Sequence, residues 1–178
     1  SVTPLHALVA GAAMVNGGVL YPPRLTPTDM PVGTRVISEP TSLVLRDMMR
    51  DVVTIGTGKK ANVPGYDVIG KTGSANKPAR GGYDDDALIT SFLGAFPYSD
   101  PRYALLVMLD EPQGIPETHN LTLAGWNAAP TAAEIIARAA PLLGVRPALH
   151  RTFQAHEKMA AEAGVPPLAL KAEVPHAP

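Results

Sequence analysis

Residues 97–102, PYSDPR, leave room only for a turn between two strand-like runs, 89–96 and 103–110. Parallel strands need a crossover of about a dozen residues or more, so these two runs must pair antiparallel. Asp100-Pro101 supplies the turn signal, and the flanking runs hold β-branched, aromatic and large apolar residues. A third strand-like run, 66–73, precedes them across NKPARGGYDDDAL (76–88), a polar, glycine-bearing stretch that reads as a mobile loop. Helical patterns lie before and after the three runs, not between them. The expected fold class is therefore mixed α and β, an antiparallel sheet flanked by helices.

The first helix has clear punctuation. Thr3 suits the N-cap, Pro4 the first helical position, and Gly17-Gly18 the stop. Leu5, Leu8, Val9, Ala12 and Val15 recur at helical spacing and are assigned to the core. A proline-rich loop (21–31) and a short extended piece (34–37) lead to a second helix from Ser38-Glu39-Pro40 to about Ile55. Its apolar stripe is Leu45, Met48, Met49, Val52 and Val53, with both methionines read as core filler and Gly56 as the stop. Residues 111–127 read as irregular, and a third, alanine-rich helix at 130–143 packs through Ile135 and Ile136. The expected division is 1–146 as one folded unit, then 147–178 as a peripheral helix (153–163) and a proline-rich tail.

Composition removes several functions. A net charge of −1, with Lys59-Lys60 the densest basic cluster, argues against a partner such as nucleic acid or an anionic membrane surface. The absence of cysteine excludes disulfides, thiol nucleophiles and cysteine-based zinc sites. The longest apolar run, 104–109, is far short of the ~18 residues a membrane span needs. The opening SVTPLHALVAGAAMV has neither Met nor a basic leader, so it is not a signal peptide, and the expectation is that it continues a longer chain. His156-Glu157 begins a zinc-protease pattern, but Ala160 stands where the second histidine is needed. The consecutive acids Asp84-Asp85-Asp86 lack the spacing of an oxygen-ligand cage and read as a solvated run. No metal and no cofactor are expected.

The stretch GYDVIGKTGSANK (65–77) matches four catalytic patterns at once. As a phosphate loop it would need a strand before it and a helix starting at Lys71-Thr72. KKANVP precedes it, and Gly73, Pro78, Gly81 and Gly82 follow. As SxxK, Ser74 and Lys77 would need a helical turn that Pro78 and the glycines disfavour. Ser74-Ala75-Asn76 as SxN fails because nucleophile, SxN and KTG must converge on one acyl carbon from separate segments. The remaining pattern, Lys71-Thr72-Gly73, ends an apolar strand, and an edge there has a chemical use. Gly73 lets an extended acyl ligand lie along the strand, Thr72 and Ser74 offer hydroxyls to a carboxylate, and Lys71 adds positive potential. The Ser74 N–H can stabilise an oxyanion.

Around that tripeptide the chain resembles the class B penicillin-binding proteins, the monofunctional D,D-transpeptidases of peptidoglycan synthesis. VTPLHALVAGAAMVNGG (2–18) is similar to the family's TPLQLA…ANGG helix, with His6 where glutamine is common. LRDMMRDVVTIGTGKKANVPGYDVIGKTGSA (45–75) resembles its helix, GTG turn and KTG strand, and SFLGAFPYSDPRYALLVMLDEPQG (91–114) its following hairpin. The resemblance covers the C-terminal part of the transpeptidase domain, densely over residues 1–114, without the family's SxxK and SxN segments. It implies a serine enzyme that cross-links peptidoglycan stem peptides through an acyl-enzyme and is the target of β-lactams. It also implies an inner-membrane anchor in a missing N-terminal part, an extracytoplasmic location, and divisome or elongasome membrane proteins as partners. Lys71 and Ser74 would be the catalytic residues contributed here, and Thr72, Gly73, Ser74 and Tyr83 would bind substrate. Without the serine nucleophile, these residues alone are expected to be inactive. A β-lactamase or β-lactam sensor of the same fold, and a non-catalytic interaction module, stay open as alternatives. Thr57, in the GTG turn, reads as structural.

Overall fold

A computed structural model describes residues 2–26, 31–79 and 81–148. The helix expected at 153–163 and the His156-Glu157 pair lie outside the described residues. The chain runs α1 (Pro4–Val15), β1 (Val19–Leu20), β2 (Thr34–Arg35), α2 (Glu39–Thr54), β3 (Ile69–Ala79), β4 (Gly82–Phe96), β5 (Tyr103–Asp110) and α3 (Ala128–Leu142). Single 3₁₀ turns occupy Lys59–Ala61, Pro116–Thr118 and Ala124–Trp126. The expected mixed α and β class with an antiparallel sheet is the observed one.

Local chemistry starts the helices where it should. The Thr3 hydroxyl accepts the His6 N–H at 3.2 Å, and the Ser38 hydroxyl accepts that of Thr41 at 3.3 Å, each satisfying an orphan donor of the first turn. After α1 the backbone turns through Gly17 and Gly18, at φ +92° and +90°, a region other residues seldom enter. That reversal lets β1 pair antiparallel with β2 in a two-stranded sheet that β1's length hides from sequence. Helix α3 is capped by Asn127, whose side-chain oxygen accepts the Ala128 N–H at 2.6 Å.

The main sheet has the order β3-β4-β5, antiparallel throughout. The stretch expected to be a loop at 76–88 is instead mostly ladder. β3 continues to Ala79, β4 begins at Gly82, and the pairs Lys77↔Asp84, Pro78↔Tyr83 and Ala79↔Gly82 close the hairpin past a bulge at Asn76/Lys77. Pro78 is tolerated because β3 is an edge strand, where a missing N–H need not break the ladder. Beyond the bulge, Lys77 Nζ donates to Asp110 Oδ1 (2.9 Å) and Glu111 Oε1 (2.7 Å), joining the hairpin to the end of β5.

Alternation along the strands divides the core. Phe92 and Val107 face α3 and pack with Ala128, Ala132 and Ile136, a cluster that the last turn of α2 joins through Val53. Ile69 and Ala95 face the other way, against Val15 of α1, Met49 of α2 and Tyr98. Three core assignments from helical spacing need correction. Leu5 and Met48 are each 51% exposed and Ile135 is 45% exposed. The helices rest on the sheet along narrower stripes than spacing suggests, with Val15 of α1, Met49 of α2 and Ile136 of α3 making the buried contacts.

Candidate active site

Strand β3 carries Lys71, Thr72, Gly73 and Ser74 along the edge of the sheet. Thr72 lies opposite Phe92, and Ser74 opposite Thr90, so both hydroxyls emerge on the α3 side. There they help line a cleft of about 370 Å³. The GTG turn and the 3₁₀ turn after it contribute Thr57, Lys59 and Lys60, and residues 123–126 form the far wall.

Each wall is held by a specific contact. Thr57 Oγ1 and Thr72 Oγ1 share a 2.7 Å hydrogen bond, so Thr57 belongs to the cleft and the purely structural reading of it is incomplete. The far wall is tied to β3 by the Ala124 N–H, which donates to Ser74 Oγ at 3.0 Å. A side chain at Gly125 would meet the Thr57 carbonyl oxygen at 2.6 Å, so only glycine allows the two walls this close. Behind the wall, the buried Thr90 hydroxyl donates to Asn127 Oδ1 (2.8 Å), and Asn127 Nδ2 donates to the Thr122 carbonyl (2.7 Å). At the mouth, Lys60 Nζ lies 4.1 Å from the centre of the Trp126 ring, which His119 contacts edge-on at 5.4 Å. An ammonium over an aromatic face is held by the ring's quadrupole.

Lys71 is placed differently. It pairs with Leu93 and shares the α1–α2 side of the strand with Ile69 and Gly73. It is exposed, and its Nζ donates to the Thr72 carbonyl at 2.6 Å. Tyr83 sits near the hairpin tip, 73% exposed, and is not among the residues lining the cleft. The structure thus brings Thr72 and Ser74 together with Thr57, Lys59, Lys60 and Trp126. Lys59-Lys60 had a visible signal, as the densest basic cluster in the chain, but nothing in sequence connected it to β3. Trp126 had none beyond being the single tryptophan.

The rejected patterns fail in three dimensions for the reasons their flanks suggested. Lys71-Thr72 lies inside a strand, without the helix N-terminus that a phosphate loop requires. Ser74 and Lys77 also lie in β3, not one helical turn apart, and Lys77 is occupied by Asp110 and Glu111. Among the described residues no cluster of metal-ligating side chains occurs, and no helix is long and apolar enough to cross a membrane.

Residues 1–137 match the family described as the penicillin binding protein transpeptidase domain. The chain belongs to that family. A probable peptidoglycan D,D-transpeptidase FtsI of Caulobacter vibrioides is 40% identical over 158 residues, covering 82% of this chain and 27% of the relative. The stage V sporulation protein D of Bacillus subtilis is 38% identical over 160 residues, covering 83% and 24%. Among solved structures, the apo transpeptidase domain of Burkholderia pseudomallei penicillin-binding protein 3 superposes with a TM-score of 0.72 at 33% identity. That match covers 82% of this chain and 44% of the other. Penicillin-binding protein 3 of Mycobacterium tuberculosis in complex with ampicillin gives 0.71 at 31%, covering 84% and 36%. This member of the transpeptidase family therefore spans roughly a quarter of the curated relatives' length.

Proposed function

We propose that this chain is the C-terminal portion of the transpeptidase domain of a class B penicillin-binding protein, and that it forms one wall of a serine D,D-transpeptidase active site. The observation that carries the reading is the Lys71-Thr72-Gly73-Ser74 edge. Among the described residues its outer side pairs with no strand, and it stands beside a cleft floored by two hydroxyls. An extended acyl ligand can add to such an edge through main-chain hydrogen bonds. Thr72 and Ser74 bind its carboxylate, Gly73 admits its backbone, and the Ser74 N–H contributes to the oxyanion site. Because Ser74 Oγ already accepts the Ala124 N–H, its hydroxyl proton is what it offers a ligand.

In the full-length protein, a serine on another segment attacks the carbonyl of the penultimate D-alanine of a stem peptide, and the terminal D-alanine leaves. The amine of a second stem then resolves the ester. Lys71 supports the charge and proton movements from its own side of the strand. Residues 1–146 form the domain portion. The protein works at the extracytoplasmic face of the inner membrane with divisome or elongasome partners, and β-lactams such as penicillins acylate the same serine.

The test is labelling of the full-length protein by a fluorescent penicillin. Thr72→Val is expected to slow acylation about 10–100-fold, the worth of a hydrogen bond to a charged ligand group, while the loss of its exposed bond to Thr57 lowers the melting temperature by only about a few degrees. Absence of label on the wild-type protein, or of SxxK and SxN in order upstream of Ser1, sinks the transpeptidase reading and favours a non-catalytic module.

A further inference from the structure

Resting on the transpeptidase reading above, we infer that the charge complementing the ligand's carboxylate is supplied by Lys59 and Lys60, from the 3₁₀ turn that follows the GTG turn, in addition to the lysine of the KTG strand. Strand alternation is the first ground. The Thr72 and Ser74 hydroxyls open on the α3 side, whereas Lys71 projects on the α1–α2 side and its ammonium donates to the Thr72 carbonyl. The cations that share the cleft with the two hydroxyls are Lys59 and Lys60.

The second ground is the cleft's charge. No carboxylate lines it, and among the described residues neither lysine is paired with an acid. Two lysines and three hydroxyl side chains line one concave volume, a combination that suits an anion. The third ground is pre-organisation. Trp126 holds the Lys60 ammonium over its face, the Ala124–Ser74 bond fixes the loop bearing Trp126, and the Thr57–Thr72 bond fixes the turn that leads into both lysines. The preferred ligand is accordingly an acyl donor with a free terminal carboxylate. Esterified or amidated analogues lose part of their rate because the lysines find no counter-charge.

The experiment measures acylation of the full-length protein by benzylpenicillin and by its methyl ester, and follows the ratio of the two second-order rate constants. The double variant Lys59→Gln/Lys60→Gln is expected to lower the acid-to-ester ratio about fivefold, as the loss of solvent-screened charge pairs implies. Lys59→Arg/Lys60→Arg keeps the charge and is expected to restore most of the ratio. In the wild-type protein the ratio should also fall as KCl is raised. A ratio unchanged in the Gln double variant, or flat with salt in the wild type, overturns the assignment while leaving the transpeptidase reading intact. Failure of benzylpenicillin to label the wild-type protein overturns both.

Discussion

On the α3 side of the main sheet, Phe92, Val107, Ala128, Ala132 and Ile136 pack together with no charged group among them. On the α1–α2 side the smaller cluster of Val15, Met49, Ile69 and Ala95 is enclosed by polar clamps. Arg46 Nε donates to the Val15 carbonyl (2.6 Å), and Arg50 donates to the Val68 carbonyl (2.7 Å) and lies 3.5 Å from Asp67. The buried Ser42 hydroxyl donates to the Met14 carbonyl and accepts the Gly17 N–H, and Tyr98 donates to Asp47. Burial lowers the pKa of both arginines, but with carboxylates nearby they stay charged. One face is thus held mainly by apolar area, with the buried Thr90–Asn127 bond as its polar tie. The other is held by hydrogen bonds that close loop and helix-end carbonyls left over by secondary structure.

The proposed ligand-binding edge grows out of this asymmetry. Thr72 and Ser74 continue the dry face beyond where α3 and the last turn of α2 cover it, so the cleft opens at the margin of the apolar core. Lys71 and Gly73 continue the clamped face.

The sharpest way to break the comparison is Phe92→Ala, which removes the ring that fills the space above Gly70 and Gly94 on the dry face. We expect a loss of about 3–5 kcal/mol in denaturant unfolding of the protein, from lost transfer energy and the cavity left behind. Arg50→Met should cost somewhat less, about 2–3 kcal/mol, mainly by leaving the carbonyl of the fully buried Val68 without its donor. If Arg50→Met were neutral, the clamped face would be apolar packing after all.

Tyr98→Phe is expected to have the smallest effect at neutral pH, about 1–2 kcal/mol for the hydrogen bond to Asp47. It sharpens the comparison through pH. Burial, then the bond to Asp47, pushes the Tyr98 phenol well above its ordinary pKa of ~10, so above that pH the folded state holds a proton that the unfolded state has lost. Stability contributed by Tyr98 is therefore complete below about pH 10 and falls as pH rises beyond it. Lys77 is raised by Glu111 and Asp110 and moves the same way. The Tyr98→Phe variant should show a shallower alkaline decline in thermal melts, and an equal decline would remove Tyr98 from the clamp.

Much of the fold was legible in the chain's own punctuation. Thr3-Pro4 and Ser38-Glu39-Pro40 start helices by capping and fixed φ, and Asp100-Pro101 between two apolar runs dictates a hairpin, because these signals act over a few residues and need no distant partner. The strand that carries KTG was legible as an apolar run, but it starts at Ile69, not at residue 66, and continues to Ala79, beyond residue 73. The 76–88 hairpin was not legible, because its polar residues gain order only from pairing across the bulge with one another. Nor was the placement of Leu5, Met48 and Ile135, since periodicity marks a face but not the width of the surface it meets.

By itself, then, the sequence determined the three helices, the antiparallel sheet and the strand that carries the tripeptide, all of them local or short-range consequences of residue type. Tertiary structure alone decided which side chains share the cleft. Strand alternation sent Thr72 and Lys71 to opposite faces, and the close approach at Gly125 brought Lys60 and Trp126 to a site far from them in the chain. Such convergence depends on contacts between distant segments, which no local pattern encodes.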